Sequence, residues 1–479
     1  MSHPEHPAAT PNSAAKTTDD IDRKTLRSRA LAWAWWDWGS AAFNAVVTTF
    51  VFSTYLASTL YVDPAIVAEA GGDIEVTPLR EALAGNTAII ANAMAISGFV
   101  VAVIAPVMGQ RSDGSGRRKF WMAINTFLVV AAMAAMFFVI PVPEYIWLGA
   151  GLLAVGNLFF EFASVNYNAM LNQVSTQETR GRTSGFGWGM GYVGGIVLLG
   201  ILLVLFIQSF DGGESHGVLS MPFGADGMAL DIRTAVLFSA VWFLLFSLPV
   251  LFKVPEAPAN PDRPKVSVLG SYKVLWDTLV RIKRTHPRTL LFLASSAVFR
   301  DGMSSIFTFG AIIAAAVFGL STTEVMLFAI AANVTAGIGT FVGGWADDRF
   351  GPKPVILISL IFLIISGGAI LFVEGKSMFW IFGLGLTVFV GPVQAASRSF
   401  MARLSPAGRE GEMFGLYATA GRTVSFFGPL LIGMFITLTS DTRFGIIGIL
   451  IMLGLGLLLL LPVRGSDAKE LDTDVTVQV

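Results

Sequence analysis

The chain has no cysteine in 479 residues, which excludes disulfides and thiolate metal ligands and leaves its redox compartment unreadable. Histidine is nearly absent too. His3, His6, His216 and His286 all fall outside the long apolar runs, so no histidine metal site is expected within them. Charge is scarce: 14% of residues are Asp, Glu, Lys or Arg, against about one quarter in a soluble domain. No G-x-x-x-x-G-K-[ST] phosphate loop occurs and no polar stretch is long enough for a nucleotide-hydrolysing domain. The chain is therefore expected not to be an enzyme, to need no cofactor or metal, and to have no nucleotide-driven energy source of its own. No nucleic-acid partner is expected; membrane lipids, a small-molecule substrate and protons are.

What is present is apolar. Hydrophobic residues make up 54% of the chain and the mean hydropathy is +0.68, more apolar surface than a soluble core can hide. Runs of about 20 apolar residues match the hydrocarbon thickness of a bilayer. Twelve are found, near 31–57, 87–108, 119–140, 145–170, 184–208, 232–252, 289–318, 323–343, 354–373, 378–402, 412–438 and 442–462. Of the 32 Lys and Arg residues, 25 fall on one side of this arrangement and only Arg80, Arg233, Lys376 and Arg443 on the other. Basic residues favour the cytoplasmic side of short loops, so both termini are predicted cytoplasmic in a multi-pass protein of the cytoplasmic membrane. The first run lacks a small-residue cleavage site at signal-peptide distance and is expected to stay attached.

Two segments 235 residues apart read alike. Gly109 to Lys119 and Gly344 to Lys353 share the skeleton G-x-x-x-D-x-x-G-x-[RK]. A second echo, D-x-x-S-[AS]-x-F, runs from Asp37 to Phe43 and from Asp301 to Phe307. A doubled membrane chain places its substrate near the midplane where the halves meet. The expected organisation is a tail over 1–30, a six-helix bundle over 31–253, a linker over 254–288, a second six-helix bundle over 289–463, and a tail over 464–479. The fold class is thus all-α, with twelve transmembrane helices in two pseudo-symmetric bundles, expected as a monomer. In the linker, Pro255 to Lys265 reads as a tether. After it Leu269, Tyr272, Trp276, Leu279 and Val280 share one helical face, with Lys273, Arg281, Lys283 and Arg284 elsewhere; this helix either lies on the inner leaflet or is a solvated linker.

Six charges stand inside the apolar runs: Asp37, Glu161, Arg300, Asp301, Arg398 and Arg422. Each costs about 2.5–3.5 kcal/mol at mid-helix on insertion scales, so it needs a partner or a wet cavity. Arg300, Asp301 and Arg422 lie ten or eleven residues into their runs, near the midplane at 1.5 Å per residue, and are the leading substrate-binding candidates. Asp37, Asn44, Asn333 and Gln394 join them. Asp37 and Glu161, at similar depth, form an acidic pair or each find an arginine, and with Asp301 are candidate proton carriers. Arg398, about five residues from the inner end of its run, is expected to snorkel to the headgroups. Trp33, Trp35, Trp36 and Trp38 are expected in an interfacial aromatic belt, with Trp38 alternatively walling a cavity. In the paired loops Gly109, Asp113, Arg117, Arg118, Gly344, Asp348, Arg349 and Gly351 are candidate gating residues, with Asp113 and Asp348 holding helix N-termini or arginines.

The run from Gly185 to Gly195 contains G-x-G-x-x-G, but a dinucleotide loop needs a preceding strand. Glycines here serve close helix approach instead, and Gly428-Pro429 is expected to kink its helix.

The paired loops resemble the major facilitator superfamily signature G-x-x-x-D-R-x-G-R-[RK]. Asp348, Arg349 and Gly351 match it, while Gly114 stands where the first copy should have Arg. More closely, the chain is similar to the branch containing the vacuolar amino-acid effluxer of autophagy and its bacterial relatives. The stretches that carry the likeness are Trp36 to Ala41, Tyr167 to Leu171, Gly181 to Trp188, Gly191 to Gly195, Asp301-Gly302, Asp347 to Arg349 and Gly391 to Ser399. This resemblance implies twelve helices, alternating access and export of amino acids. Three acids and three arginines fit a zwitterion, so the expectation is a proton-coupled exporter of a small polar metabolite, an amino acid first. Transport of a lipid-like amphiphile, and a non-transporting membrane sensor or scaffold, are the alternatives.

Overall fold

A backbone in hydrocarbon satisfies its N–H and C=O groups only by folding into helices or closed barrels, and the long apolar runs are helical over most of their described residues. The computed structural model describes residues 22–463 except 74–75, 208–216, 220, 222–226, 257–266, 286 and 321. The tail before residue 22, the C-terminal tail, most of the tether and all four histidines lie outside the described residues.

The first half comprises α1 (Arg23–Ala41), α2 (Thr77–Ser115), α3 (Arg118–Ala135), α4 (Ile146–Ala169), α5 (Arg180–Leu202) and α6 (Leu230–Lys253). The linker helix is α7 (Val268–Thr285). The second half comprises α8 (Pro287–Ala316), α9 (Thr322–Phe350), α10 (Pro352–Ile370), α11 (Lys376–Leu404), α12 (Glu410–Val424), α13 (Phe427–Thr439) and α14 (Gly445–Leu460). Among the described residues, eleven helical stretches are long and apolar enough to cross a membrane, with α12 and α13 counted as one. The remaining expected span begins as α1, eight residues earlier than its apolar run, and widens into a π-helix over Ala42–Phe50.

Prolines break this regularity at identifiable places. Pro429 cannot donate to the carbonyl of Ser425, and the helix is interrupted between α12 and α13 beside it. Pro106 inside α2 likewise releases the carbonyl of Ala102, which accepts instead from the Thr419 hydroxyl of α12 at 2.8 Å.

Within each half the helices pack on chain neighbours, α3 on α4 and α10 on α11 among them. Two seams join the halves: α2 lies along α12, and α5 along α9. Both seams are tight at the end rich in Lys and Arg. A Cβ on Gly109 would lie 1.9 Å from the Gly411 carbonyl oxygen, and one on Gly415 2.6 Å from that of Ala105. Toward the other end, Gly85 of α2 and Gly433 of α13, which continues the span after α12, meet nothing within 4 Å. The molecule is closed at the basic end, where α2 and α12 pack, and α13 beyond the break has no comparable packing on α2.

The expected aromatic belt at the start of α1 is not what forms. Trp33 and Trp36 are 0% and 2% exposed, and both stack on Tyr167 of α4, with ring centroids 4.4 and 4.2 Å apart. Trp33 also donates to the Tyr167 carbonyl at 3.0 Å. The rings face the bundle because buried aromatic area and a satisfied indole N–H outweigh a headgroup position.

Candidate functional site

Both repeated loops lie at the closed end, and each residue type in the shared skeleton has a physical task. The first glycine permits helix contact: Gly109 abuts Gly411, and Gly344 abuts Gly181 and Gly185. The second glycine takes a left-handed turn, φ +65° at Gly116 and +87° at Gly351, which favours glycine. The aspartate reaches the exposed N–H groups at the start of a helix from the other half. Asp113 accepts from the backbone N–H of Gly411 and Glu412 at 2.9 and 2.8 Å, and Asp348 from that of Gly181 at 2.7 Å. A carboxylate at a helix N-terminus satisfies unpaired donors and opposes the positive end of the helix dipole.

Cations complete both locks. Arg118 donates to Asp113 at 2.7 Å and also to Glu410, with all three side chains buried. Arg182 donates to Asp348, and Arg403 to Asp347 at 3.1 Å. Arg117 and Arg349, expected as gating cations, join neither lock. Both are exposed, and Arg349 lies over the rings of Trp345 and Phe350.

Further from the basic end, two more ion pairs bridge the halves. Arg398 of α11 does not snorkel; it is 3% exposed and penetrates the first half. Its guanidinium donates to Asp37 of α1 at 3.0 Å, to the Ser184 carbonyl of α5 at 2.6 Å and to the Ser184 hydroxyl at 3.0 Å. Trp33, Tyr167 and Trp188 surround it with ring centroids 4.8 to 5.8 Å away, an arrangement that favours a desolvated cation. The distance from a helix end does not measure depth when other helices cover that end. Arg422 of α12 donates to Glu161 of α4. Asp37 and Glu161 therefore each find an arginine, rather than pairing with one another.

Arg300 lies beside the second pair. Its guanidinium sits 4.1 Å from the centre of the Tyr417 ring and donates to the Tyr417 carbonyl at 3.4 Å. A Cβ on Gly421, the neighbour of Arg422, would lie 3.5 Å from it. Among the described residues no carboxylate pairs with Arg300. Tyr417 links this layer downward, since its hydroxyl and that of Ser397, next to Arg398, are 2.7 Å apart. Gln394 accepts from the Tyr192 hydroxyl at 3.0 Å, another contact across the seam.

Three other sequence candidates stand apart from this layer. Asp301, though adjacent to Arg300, turns toward α13 and accepts from the Gly428 N–H at 2.7 Å, capping the half-helix that follows the break. Asn333 donates to its own helix at Ala329 and lines an apolar cavity of about 230 Å³ with Phe307, Phe328, Phe379 and Leu386. Asn44 sits exposed in the π-helix, where its carbonyl accepts from Thr48 and Thr49, both at 2.7 Å. Sequence reasoning missed Tyr417, Ser184, Glu410, Arg182 and Arg403. The one signal available was that Glu410 and Arg182 sit in the first turns of helices that the paired aspartates needed as partners.

Comparison with known proteins agrees with this architecture. A family model described as "Vacuole effluxer Atg22 like" matches residues 25–471. The uncharacterized MFS-type transporter YxiO of Bacillus subtilis (strain 168) is 26% identical over 458 residues, covering 95% of this chain and 98% of that one. Autophagy-related protein 22 of Cryptococcus neoformans var. neoformans serotype D (strain B-3501A) is 25% identical over 313 residues, 61% of this chain and about half (53%) of the fungal protein. Among solved structures, the proton:xylose symporter XylE superposes with a TM-score of 0.68 at 14% identity, over 91% of this chain and 95% of the other. The Escherichia coli fucose:proton symporter FucP, in its outward conformation, gives 0.62 at 14% identity, over 91% and 98%. The doubled helical architecture and the family match together make the chain a major facilitator transporter of the vacuole effluxer Atg22-like family.

Proposed function

We propose that the protein exports a small polar metabolite, an amino acid first, from the cytoplasm by alternating access coupled to protons, as a monomer with both termini cytoplasmic. Arg300 is the observation that carries this reading. It is a guanidinium held against an aromatic ring, beside the Glu161–Arg422 pair, with no carboxylate of its own among the described residues. A cation so placed suits a substrate carboxylate, and Glu161 suits the amine.

Coupling rests on the cross-half pairs. Protonating Asp37 removes the negative charge opposite Arg398, which lowers the cost of withdrawing Arg398 from the first half and favours opening at the basic end. Glu161 acts in the same sense on Arg422. Asp301 serves as a third carrier, since neutralising it weakens its hold on α13.

A thermal-shift screen of amino acids identifies the substrate, and counterflow of that amino acid into proteoliposomes then tests the site. Replacing Arg300 with Ala is expected to abolish counterflow, and unchanged counterflow removes it from the site. Asp37→Asn is expected to keep counterflow while losing substrate-driven proton movement. Transport of an amphiphile is the second reading, supported by the apolar cavity next to Asn333. Stabilisation by lipids and by no amino acid in the same screen favours it.

A further inference from the structure

Helix α7 has two faces of interest, and only one of them is covered by protein. Ser271, Leu275, Thr278 and Ile282, spaced one helical turn apart, are 0 to 9% exposed and pack on α2 and α8. These helices belong to different halves. Away from that face lie Tyr272 and Trp276, one turn apart and 37% and 67% exposed. A linker helix in water gains by burying its single apolar stripe on the protein and presenting polar residues elsewhere. A large indole left bare on a second edge does not fit that pattern.

The surroundings of this edge say what covers it. The Tyr272 hydroxyl donates to the Val103 carbonyl of α2 at 3.2 Å. Val103 continues an outward stripe of α2 with Phe99 and Ile96, which are 40%, 71% and 66% exposed. In a spanning helix such a stripe faces acyl chains, so α7 crosses it at the boundary of the hydrocarbon, where Trp and Tyr are at home. Lys273, Arg281, Lys283 and Arg284 are exposed on the same helix against the single acid Asp277. None of Lys273, Lys283 and Arg284 has a carboxylate partner among the described residues.

We propose that α7 is a binding site for anionic phospholipid headgroups of the inner leaflet, with Tyr272 and Trp276 set at the acyl boundary and Lys273, Lys283 and Arg284 holding the phosphates. Because α7 rests on one helix from each half, bound lipid fastens a strap across the α2–α8 boundary. The proposal depends on the membrane orientation given above and is independent of the transported substrate.

Two measurements on the full-length protein test it. The natural chain lacks cysteine, so Trp276→Cys places a single fluorescent label. In vesicles of phosphatidylcholine mixed with phosphatidylglycerol, that label is expected to be quenched by a nitroxide-bearing lipid and shielded from aqueous iodide. Quenching by iodide and not by the lipid overturns the proposal. Native mass spectrometry then counts lipids retained from mixed micelles. The triple variant K273Q/K283Q/R284Q is expected to bind phosphatidylglycerol roughly a hundredfold more weakly, as three basic residues near an anionic surface each contribute about a factor of five, with phosphatidylcholine retention unchanged. Equal retention of phosphatidylglycerol by the variant and the natural chain overturns the proposal. Should the variant fail to fold, as its elution and melting in detergent report, retention by the natural chain decides: preference for phosphatidylglycerol over phosphatidylcholine is expected, and equal retention of the two overturns the proposal.

Discussion

The two halves close the basic end with the same device in two environments. In both copies an aspartate from the end of one helix caps the start of a helix from the opposite half. The Asp113 lock is dry: its side chain and that of Arg118 are 0% and 4% exposed, and Glu410 seals it from the partner helix. The Asp348 lock is only partly covered: Arg182 is 59% exposed, while Arg403 and Asp347 beside it are 18% and 1% exposed. The basic tails of the two loops divide their labour differently as well. In the first copy Arg118 serves the lock, while Lys119 donates to the Val254 carbonyl just past the C-terminus of α6 at 3.2 Å. In the second, Lys353 donates to the Leu461 carbonyl just past α14 at 2.7 Å, and the lock takes its cations from Arg182 and Arg403 instead. Gly114, where the signature has arginine, therefore costs the first lock nothing, because Arg118 folds back to the same carboxylate. A shared motif thus fixes the geometry of closure, and burial decides how strongly each seam resists opening.

The largest break in this comparison is expected from the motif glycines. At Gly109 a methyl group would lie 1.9 and 2.4 Å from the carbonyl oxygen and carbon of Gly411, backbone atoms that move only if α2 and α12 separate. Gly109→Ala should disfavour the closed seam by about 3 kcal/mol, the upper end of ordinary overpacking, and Gly344→Ala, whose nearest contact is 2.9 Å, by about 1 kcal/mol. Cysteine pairs introduced across each seam, read as distance distributions by electron spin labels, report the change. Equal shifts for the two variants would show that the seams are energetically alike.

Removing the aspartates sharpens the contrast at a smaller cost. Asp113→Asn takes the anion from two helix N–H groups and leaves Arg118 with Glu410 alone, and is expected to weaken closure by about 2 kcal/mol, less than the cost of an arginine left wholly unpaired. Asp348→Asn removes a cap and a solvated pair, about 1 kcal/mol. The same spin-label pairs are expected to show a clear open population for the first variant and a minor one for the second. The reverse order would mean that burial is not what separates the locks.

Much of this was legible beforehand, because two constraints act on the sequence directly. Hydrocarbon forces helices wherever about 20 apolar residues run on, and the paired aspartates needed donors at helix N-termini, which is what Asp113 and Asp348 found. The residues that depart from expectation share one cause. Depth counted along a helix treats each helix as alone in lipid, which puts Arg398 at the headgroups and Trp33 and Trp36 at the interface. Those residues lie near a helix end that α4 and α5 cover, and coverage by chain-distant helices leaves no local signal. Depth likewise puts Asp301 with Arg300 at the midplane, yet adjacent helical residues point about 100° apart, and the break before Pro429 gives Asp301 a donor at Gly428 instead. The π-helix over Ala42–Phe50 has no periodic mark in a run that is apolar on nearly every side.

The smallest effect is expected from the cations, and it isolates solvent as the variable. Arg182 is mostly exposed, so its pair with Asp348 contributes on the order of 0.5 kcal/mol, and salt above physiological strength shortens the screening length below about 8 Å. Raising salt is therefore expected to reproduce Arg182→Gln at the α5–α9 seam and to leave that variant itself insensitive. The α2–α12 seam should ignore salt in the natural chain, because no counterion reaches a pair sealed between Arg118, Asp113 and Glu410. Spin-label distances at both seams, measured across a salt series, separate the outcomes. If the α2–α12 seam loosened with salt as readily as its counterpart, water would be entering the first lock, and its burial would not be the source of its strength.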